Sequence, residues 1–192
     1  MLRGPLIHET RCWWATSDPL LLDYHDQEWG RPVSDDVRLF EMLTLEGFQA
    51  GLSWLTILRK REAFRSAFSG FDPKVVEGFE DSDRTRLLSN AGIVRNRAKI
   101  DAAIGNAAAF LEVAAEFGSF GAYLATRLPP PSTLPPTASP ADLPTTTPAS
   151  DALSRDLKRR GFRFVGSTIV YSFMQAVGLV DDHLPGCFRY RG

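Results

Sequence analysis

The segment DDVRLFEMLTLEGFQAGLSWLTILRKREAF, residues 35–64, carries the clearest pattern of apolar and polar positions in the chain. Leu39, Met42 and Leu43 recur at the spacing of an amphipathic helix, and Glu46 falls on the same stripe. A carboxylate on a core-facing stripe must find a partner or take a proton, because burying it charged and alone is costly. Gly47 and Gly51 then loosen the helix, and Ser53 suits the N-cap of a second helix opened by Trp54. The pattern predicts a helix over 35–46, a joint, and a helix over 53–68, with Glu46 facing Trp54 across the joint. A carboxylate opposite an indole can receive a flat, cationic or hydrogen-bonding ligand. The alternative is that Glu46 only braces the joint.

Further helices are predicted over 72–79, entered through Asp72-Pro73, then 81–89 and 95–117, the last with an alanine-rich run. No segment sustains the alternation of strands, so the fold class is all-α. The N-terminal run RCWWATSDPLLLDYHDQEWGRP has too many turn formers for a long helix and holds three of the four tryptophans. Residues 129–148 contain eight of the thirteen prolines and read as a long surface loop. Thr147-Pro148 then reads as N-cap and first position of a helix ending at Gly161. After GFRFVG a last helix runs from Ser167 to about Val177. Two helices joined by a short apolar turn closed by Gly166 make a helix-hairpin-helix candidate.

At 192 residues and 44% hydrophobic, one domain over 1–192 is expected, burying about 70% of its unfolded surface. A net charge of −1 provides no global field toward nucleic acid or membrane, so any anion site must be a local basic cluster. No run approaches the length of a membrane span, and MLRGPLIHET lacks the apolar core of a signal peptide. A cytoplasmic monomer without membrane contact is expected.

Cys12 and His25 near one end, with His183 and Cys187 near the other, form a set of four nitrogen and sulfur ligands. Cys2His2 is a closed tetrahedral zinc set without an open catalytic position. Pro185 and Gly186 favour a tight chelating turn for the second pair. Two unrelated pairs, or a Cys12–Cys187 disulfide, are the alternatives. Basic residues gather at Arg59-Lys60-Arg61 with Arg65, at Arg95-Asn96-Arg97 with Lys99, and at Lys158-Arg159-Arg160 with Arg163. Such runs are usually solvated faces. The third abuts the hairpin, where backbone N–H groups at the helix N-terminus after Gly166 could hold a phosphate, Ser167 and Thr168 add hydroxyl donors, and Arg159 and Arg160 add counter-charge.

The runs RCWW, DPLLLDYHDQEWGRP, LFEMLTLEGFQAGLSW, NAGIVRNRAKI, TPASDALSRDLKRRGFRFVGSTIVYSFMQAVGLVDDH and GC together cover most of the chain from Arg11 to Cys187. With them the sequence resembles the 3-methyladenine DNA glycosylase I family of the helix-hairpin-helix DNA glycosylase superfamily. The resemblance implies an all-α helix-hairpin-helix fold with a structural zinc joining the N- and C-terminal segments. It also implies excision of 3-methyladenine from alkylated double-stranded DNA. It puts the zinc ligands on Cys12, His25, His183 and Cys187, the base-reading carboxylate on Glu46, and the pocket aromatics on Trp14, Tyr24, Trp29 and Trp54. Gln49-Ala50-Gly51-Leu52 resembles the loop that fills the gap left by an extruded nucleotide, which assigns Gly51 and Leu52 to DNA.

Two features depart from the family pattern. Trp13 and Phe48 stand where smaller or polar residues are expected, and could alter the pocket wall or the wedge that enters DNA. Asp181, in VDDH, resembles the catalytic aspartate of related glycosylases; the alternative is that Asp181 or Asp182 orients His183. No lysine lies in the second hairpin helix to act as an amine nucleophile, so an abasic site without strand cleavage is the expected product. A non-catalytic DNA-binding module is the competing class, and a glycosylase of shifted specificity a further alternative.

Overall fold

A computed structural model describes residues 10–129 and 133–191; the expectations for residues 1–9, and for 130–132 within the proline-rich segment, lie outside the described residues. Among the described residues nine α-helices follow one another: α1 Pro19–Gln27, α2 Asp36–Gln49, α3 Trp54–Ala67, α4 Pro73–Glu77, α5 Asp81–Ser89, α6 Arg97–Phe117, α7 Phe120–Arg127, α8 Pro148–Arg159 and α9 Ser167–Ala176. Most starts are written in the sequence. Asp18, Asp35, Ser53, Asp72, Asn96, Ser119 and Thr147 each accept a hydrogen bond from a backbone N–H in the first turn of the helix they precede. Gly118, at φ 87°, ends α6 in the left-handed conformation that favours glycine.

The helix that organises the fold is α2. Every residue from Leu39 to Phe48 is buried, so beyond its first turn α2 is surrounded and has no solvent face. It packs against α3, α6, α7 and α9. Phe48 lies with Phe64 and Phe68 in an aromatic group, ring centroids 4.8 and 5.8 Å away. Gly47 stays helical because Phe164 of the α8–α9 turn packs over it, with its Cβ 3.5 Å from where a glycine side chain would begin. Hence α2 runs three residues beyond the predicted end at Glu46, and the joint is confined to residues 50–53, with Gly51 at φ 78°.

Two helices were not predicted. α1 forms inside the turn-rich N-terminal run because Asp18-Pro19 is an N-cap followed by a proline at the first position. α7 is short and hidden between α6 and the proline-rich segment; its N-terminal amides at Phe120 and Gly121 donate to the Asp36 carboxylate of α2 at 3.0 and 3.2 Å. The proline-rich segment is itself tied down, through a 3-10 turn Pro140–Asp142 and the Tyr190 hydroxyl donating to the Leu134 carbonyl at 2.8 Å.

Two basic groups predicted as solvated faces are partly internal. Arg61 follows Ile57 and precedes Phe64 on a buried stripe of α3, and its guanidinium binds Glu41 at 2.8 Å and Glu28 at 2.9 Å. Lys99 lies on the buried stripe of α6 with Ala103, Asn106 and Phe110, and donates to the carbonyls of Phe48 and Ala50 at 2.9 and 2.6 Å. An ammonium there satisfies carbonyls left open at the C-terminus of α2 and fixes the start of the joint.

Candidate active site and metal site

α2 carries two buried glutamates, each 4% exposed, in opposite circumstances. Burial pushes the Glu41 carboxyl up, but Arg61 and Arg38 outweigh it and hold it below its ordinary value. Arg65 adds a third bond, at 2.9 Å. Glu46, one turn on, has no such partner: its Oε2 is buried without a hydrogen bond. Burial alone pushes its carboxyl from 4.5 up to about 8.

Glu46 lines a cavity of about 520 Å³ together with Trp14, Tyr24, Trp29 and Trp54. Two more polar atoms on that wall are buried without a partner, the Tyr24 hydroxyl and the Trp54 Nε1–H. The Tyr24 phenol is pushed well above its ordinary value by burial and then by the nearby Glu46. The rings stand at angles that leave faces open between them: Tyr24 and Trp54 at 5.4 Å and 52°, Trp14 and Trp29 at 5.0 Å and 77°. Buried donors and acceptors are almost always paired, so three orphans on one wall mark a place built for a ligand that supplies their partners.

The cavity completes its wall from distant parts of the chain. Leu21 comes from α1, Gln49, Ser53 and Leu55 from around the joint, Leu143 from the proline-rich segment, and Ser172 and Gln175 from α9. The last two were missed by sequence reasoning; their signal is a pair of polar residues three apart in the otherwise apolar run IVYSFMQAV. Trp13 and Phe48 do not line the cavity. Trp13 is 64% exposed, and Phe48 faces the core. Asp181 does not line it either: its Oδ1 meets Nδ1 of His183 at 2.6 Å, so its carboxylate is occupied in orienting that ring.

Beside the cavity, the ligating atoms of Cys12, His25 and Cys187 lie within 4.8 Å of one another, all three residues buried. The cysteines are free thiols, not the alternative disulfide. Burial pushes the Cys12 thiol up to about 12, the cost a thiolate incurs there without a cation. His183 adjoins the group, its ring 5.1 Å from that of His25, and its Nε2 is buried without a partner. Both imidazoles have Nδ1 against a carboxylate, His25 on Asp26 at 2.8 Å and His183 on Asp181, which turns Nε2 inward: that of His25 lies 3.4 Å from Cys187 Sγ, and that of His183 has no partner. Gly30, at φ 73°, is required here: a Cβ on it would stand 2.7 Å from the His183 ring. An orphaned nitrogen, two thiols and an oriented imidazole fit a tetrahedral soft-metal set.

The Cys/His group and the cavity share a wall, since Trp29 stacks on His25 at 6.1 Å and meets His183 edge-on at 4.6 Å. The joint and the hairpin provide the remaining predicted positions. Leu52 and Gly51 are exposed at the tip of the joint. In the α8–α9 turn, Gly161 and Phe164 take positive φ, and α9 starts at Gly166 with no side chain capping its first amides. The Ser167 hydroxyl is engaged by Asp151 and Ser150, whereas Thr168 is exposed. Arg159 is 71% exposed. Arg160 differs from expectation: it binds Glu116 at 2.7 Å and Asp156 at 3.3 Å and lies over Phe117 and Tyr123, so its charge is committed within the fold.

An aromatic cavity with unpartnered polar atoms sits on an all-helical frame, and the comparisons define the family. The methyladenine glycosylase family model matches residues 14–190, and the chain belongs to that family. It is 50% identical over 182 residues, 95% of this chain and 97% of the relative, to DNA-3-methyladenine glycosylase 1 of Escherichia coli (strain K12). It is 45% identical over 181 residues, 93% of this chain and 96% of the relative, to DNA-3-methyladenine glycosylase of Haemophilus influenzae. The fold matches a crystal structure of 3-methyladenine DNA glycosylase I with a TM-score of 0.88 at 50% identity, covering 95% of this chain and all of that one. A structure of the Staphylococcus aureus enzyme, which addresses 3-methyladenine recognition, also matches at 0.88, with 38% identity and coverage of 95% and 97%.

Proposed function

We propose that this chain is a DNA-3-methyladenine glycosylase of base-excision repair, hydrolysing the N-glycosidic bond of 3-methyladenine in alkylated double-stranded DNA. The observation that carries this reading is the set of unpartnered buried atoms on Glu46, Tyr24 and Trp54 around one aromatic cavity. The names of its relatives support the same substrate.

The chemistry follows from the base. Adenine methylated at N3 within DNA carries positive charge, so it departs as a neutral leaving group and needs little acid catalysis. The enzyme's work is to extrude the nucleotide and recognise the base. Trp14, Tyr24, Trp29 and Trp54 offer faces to a cationic ring, and stacking contributes about 1–3 kcal/mol per base. The exocyclic amine supplies the donor that Glu46 lacks, and the positive ring favours the ionised carboxylate that burial disfavours. Normal adenine brings no charge and gains less, which makes the discrimination electrostatic. Gly51 and Leu52 are placed to enter the stack where the nucleotide left. The α8–α9 turn is a helix-hairpin-helix grip, with the open amides from Gly166 onward and Arg159 on the phosphates. Without an amine nucleophile, the product is an abasic site in an intact strand.

Zinc suits the Cys12, His25, His183 and Cys187 set, with Asp26 and Asp181 orienting the imidazoles; that role for Asp181 is favoured over a part in bond cleavage. Its place is structural, tying the N-terminal aromatic segment to the C-terminal tail, because four protein ligands leave no open position. A single cytoplasmic domain acting as a monomer fits this reading; no helix among the described residues is long and apolar enough to cross a membrane.

Arg159→Ala should weaken binding to duplexes of any sequence about equally and lower the salt slope by roughly one, the signature of a lost phosphate contact. Unchanged affinity and slope in a salt titration would return Arg159 to a solvated face. The function itself is tested by chromatography of bases released from methylated duplex DNA by the purified protein. Free 3-methyladenine with unbroken strands is the expected result. Duplex binding with no base release would leave the competing class, a DNA-binding module without catalysis.

A further inference from the structure

One wall of the cavity is fixed by a carboxylate that does not itself line it. Gln175 and Ser172 line the cavity from adjacent turns of α9. The Gln175 Nε2 donates to Asp182 Oδ2 at 2.7 Å, and the Tyr171 hydroxyl donates to the same oxygen. Asp182 is 6% exposed, and these two donors are what its carboxylate oxygen accepts from. A carboxylate only accepts, so the amide cannot turn round: with Oε1 toward Asp182, two acceptors would face each other. The orientation of Gln175 therefore follows from its partner and not from how an amide happens to be placed. Its Oε1 is left over, and among the described residues it accepts no hydrogen bond. The backbone of Gln175 is held as well, its carbonyl accepting from Gly30 at 3.1 Å beside Trp29 of the opposite wall.

We propose that Gln175, locked by Asp182, is a base-specificity residue whose Oε1 accepts from the exocyclic amine of the methylated adenine. This rests on the reading of the cavity as the base pocket. Adenine methylated at N3 and bonded through N9 has one N–H donor group, its exocyclic amine, with two hydrogens. The cavity offers that amine two acceptors, Glu46 and Gln175, and the second cannot convert itself into a donor. A purine with an oxygen in place of the amine would bring a third acceptor against the two. Asp182 is then a positioning residue, acting on the base only through Gln175.

The test measures binding of free 3-methyladenine and of 3-methylpurine, which lacks the amine, by titration of the intrinsic tryptophan fluorescence. Wild-type protein should prefer 3-methyladenine. Gln175→Met, matched in length but without the acceptor, should weaken 3-methyladenine about ten-fold and leave 3-methylpurine within about two-fold. Asp182→Asn should lose selectivity in the same direction, since an asparagine can donate to Oε1 and release the amide to present Nε2. It carries the test if Gln175→Met does not fold, with zinc content and melting as checks. Equal losses for both bases in a folded Gln175→Met protein, or unchanged 3-methyladenine affinity, would overturn the proposal while leaving the base pocket standing. A wild-type protein that binds neither base would overturn the reading beneath it.

Discussion

Glu46→Gln should melt higher than the wild type at pH 8 and level with it near pH 4.5. The cause is proton counting. An unfolded Glu46 releases its proton near 4.5, whereas burial pushes the folded carboxyl up to about 8. Between those values folding takes up a proton, so this group's contribution to stability is complete below pH 4.5 and is lost as pH rises toward 8. Glutamine stays neutral throughout and escapes the loss, worth up to about 1.4 kcal/mol for each pH unit crossed. For a chain of this size, 1 kcal/mol moves Tm by roughly 2–4 °C, so melting curves across the window resolve the effect. The opposite outcome, a variant that melts lower at every pH, is what a bracing carboxylate would give. Glu41 supplies the contrast. It is bonded to Arg38, Arg61 and Arg65, and Glu41→Gln should lose stability at neutral pH, because it abandons buried guanidinium charge.

Cys187→Ser should purify without zinc and melt roughly 10 °C lower, since a structural metal's binding energy is part of the folding energy. The effect should reach the cavity, because the Cys/His group and the aromatic wall meet at Trp29, His25 and His183. Metal analysis of wild-type protein prepared without chelator should give about one zinc per chain, and none in the variant. Wild-type protein free of metal, with an unaltered melting curve after chelation, would remove zinc from the account.

Much of this was written locally. Caps such as Asp35, Ser53, Asp72 and Thr147 are short-range signals, and helix starts fell within about two residues of where those residues put them. Glu46 could be singled out because it interrupts an apolar stripe. What the stripe could not disclose is that α2 is buried on every side, so that its other glutamate is buried too. Arg38, three residues before Glu41, is a partner within reach of sequence spacing, but Arg61 and Arg65 are a helix away, and only tertiary placement brings them to Glu41. The same applies to Lys99: a charge run read along the sequence looks solvated, but its position with Ala103, Asn106 and Phe110 puts it on the inner stripe. Arg160 shows both cases: Asp156, four residues before it on α8, is a partner that helical spacing offers, whereas Glu116 comes from α6, which spacing does not bring near. The metal-ligand types were legible at the two chain ends. Their meeting was not, because it requires the whole helical frame between them.

The central claim is that Glu46, alone and buried in the cavity, reads the methylated base. It is tested most directly by excision of 3-methyladenine from methylated duplex by wild type and Glu46→Gln, measured from pH 6 to 9 and corrected for spontaneous release. The loss of a charge-assisted hydrogen bond, about 1.5–3 kcal/mol, predicts a variant slower by roughly one to two orders of magnitude near pH 8. The wild-type kcat/KM should fall as pH drops below about 8, where the free enzyme's carboxyl takes its proton, and the variant should show no such limb. A folded, duplex-binding Glu46→Gln protein that excises at the wild-type rate with the wild-type pH profile would contradict the account.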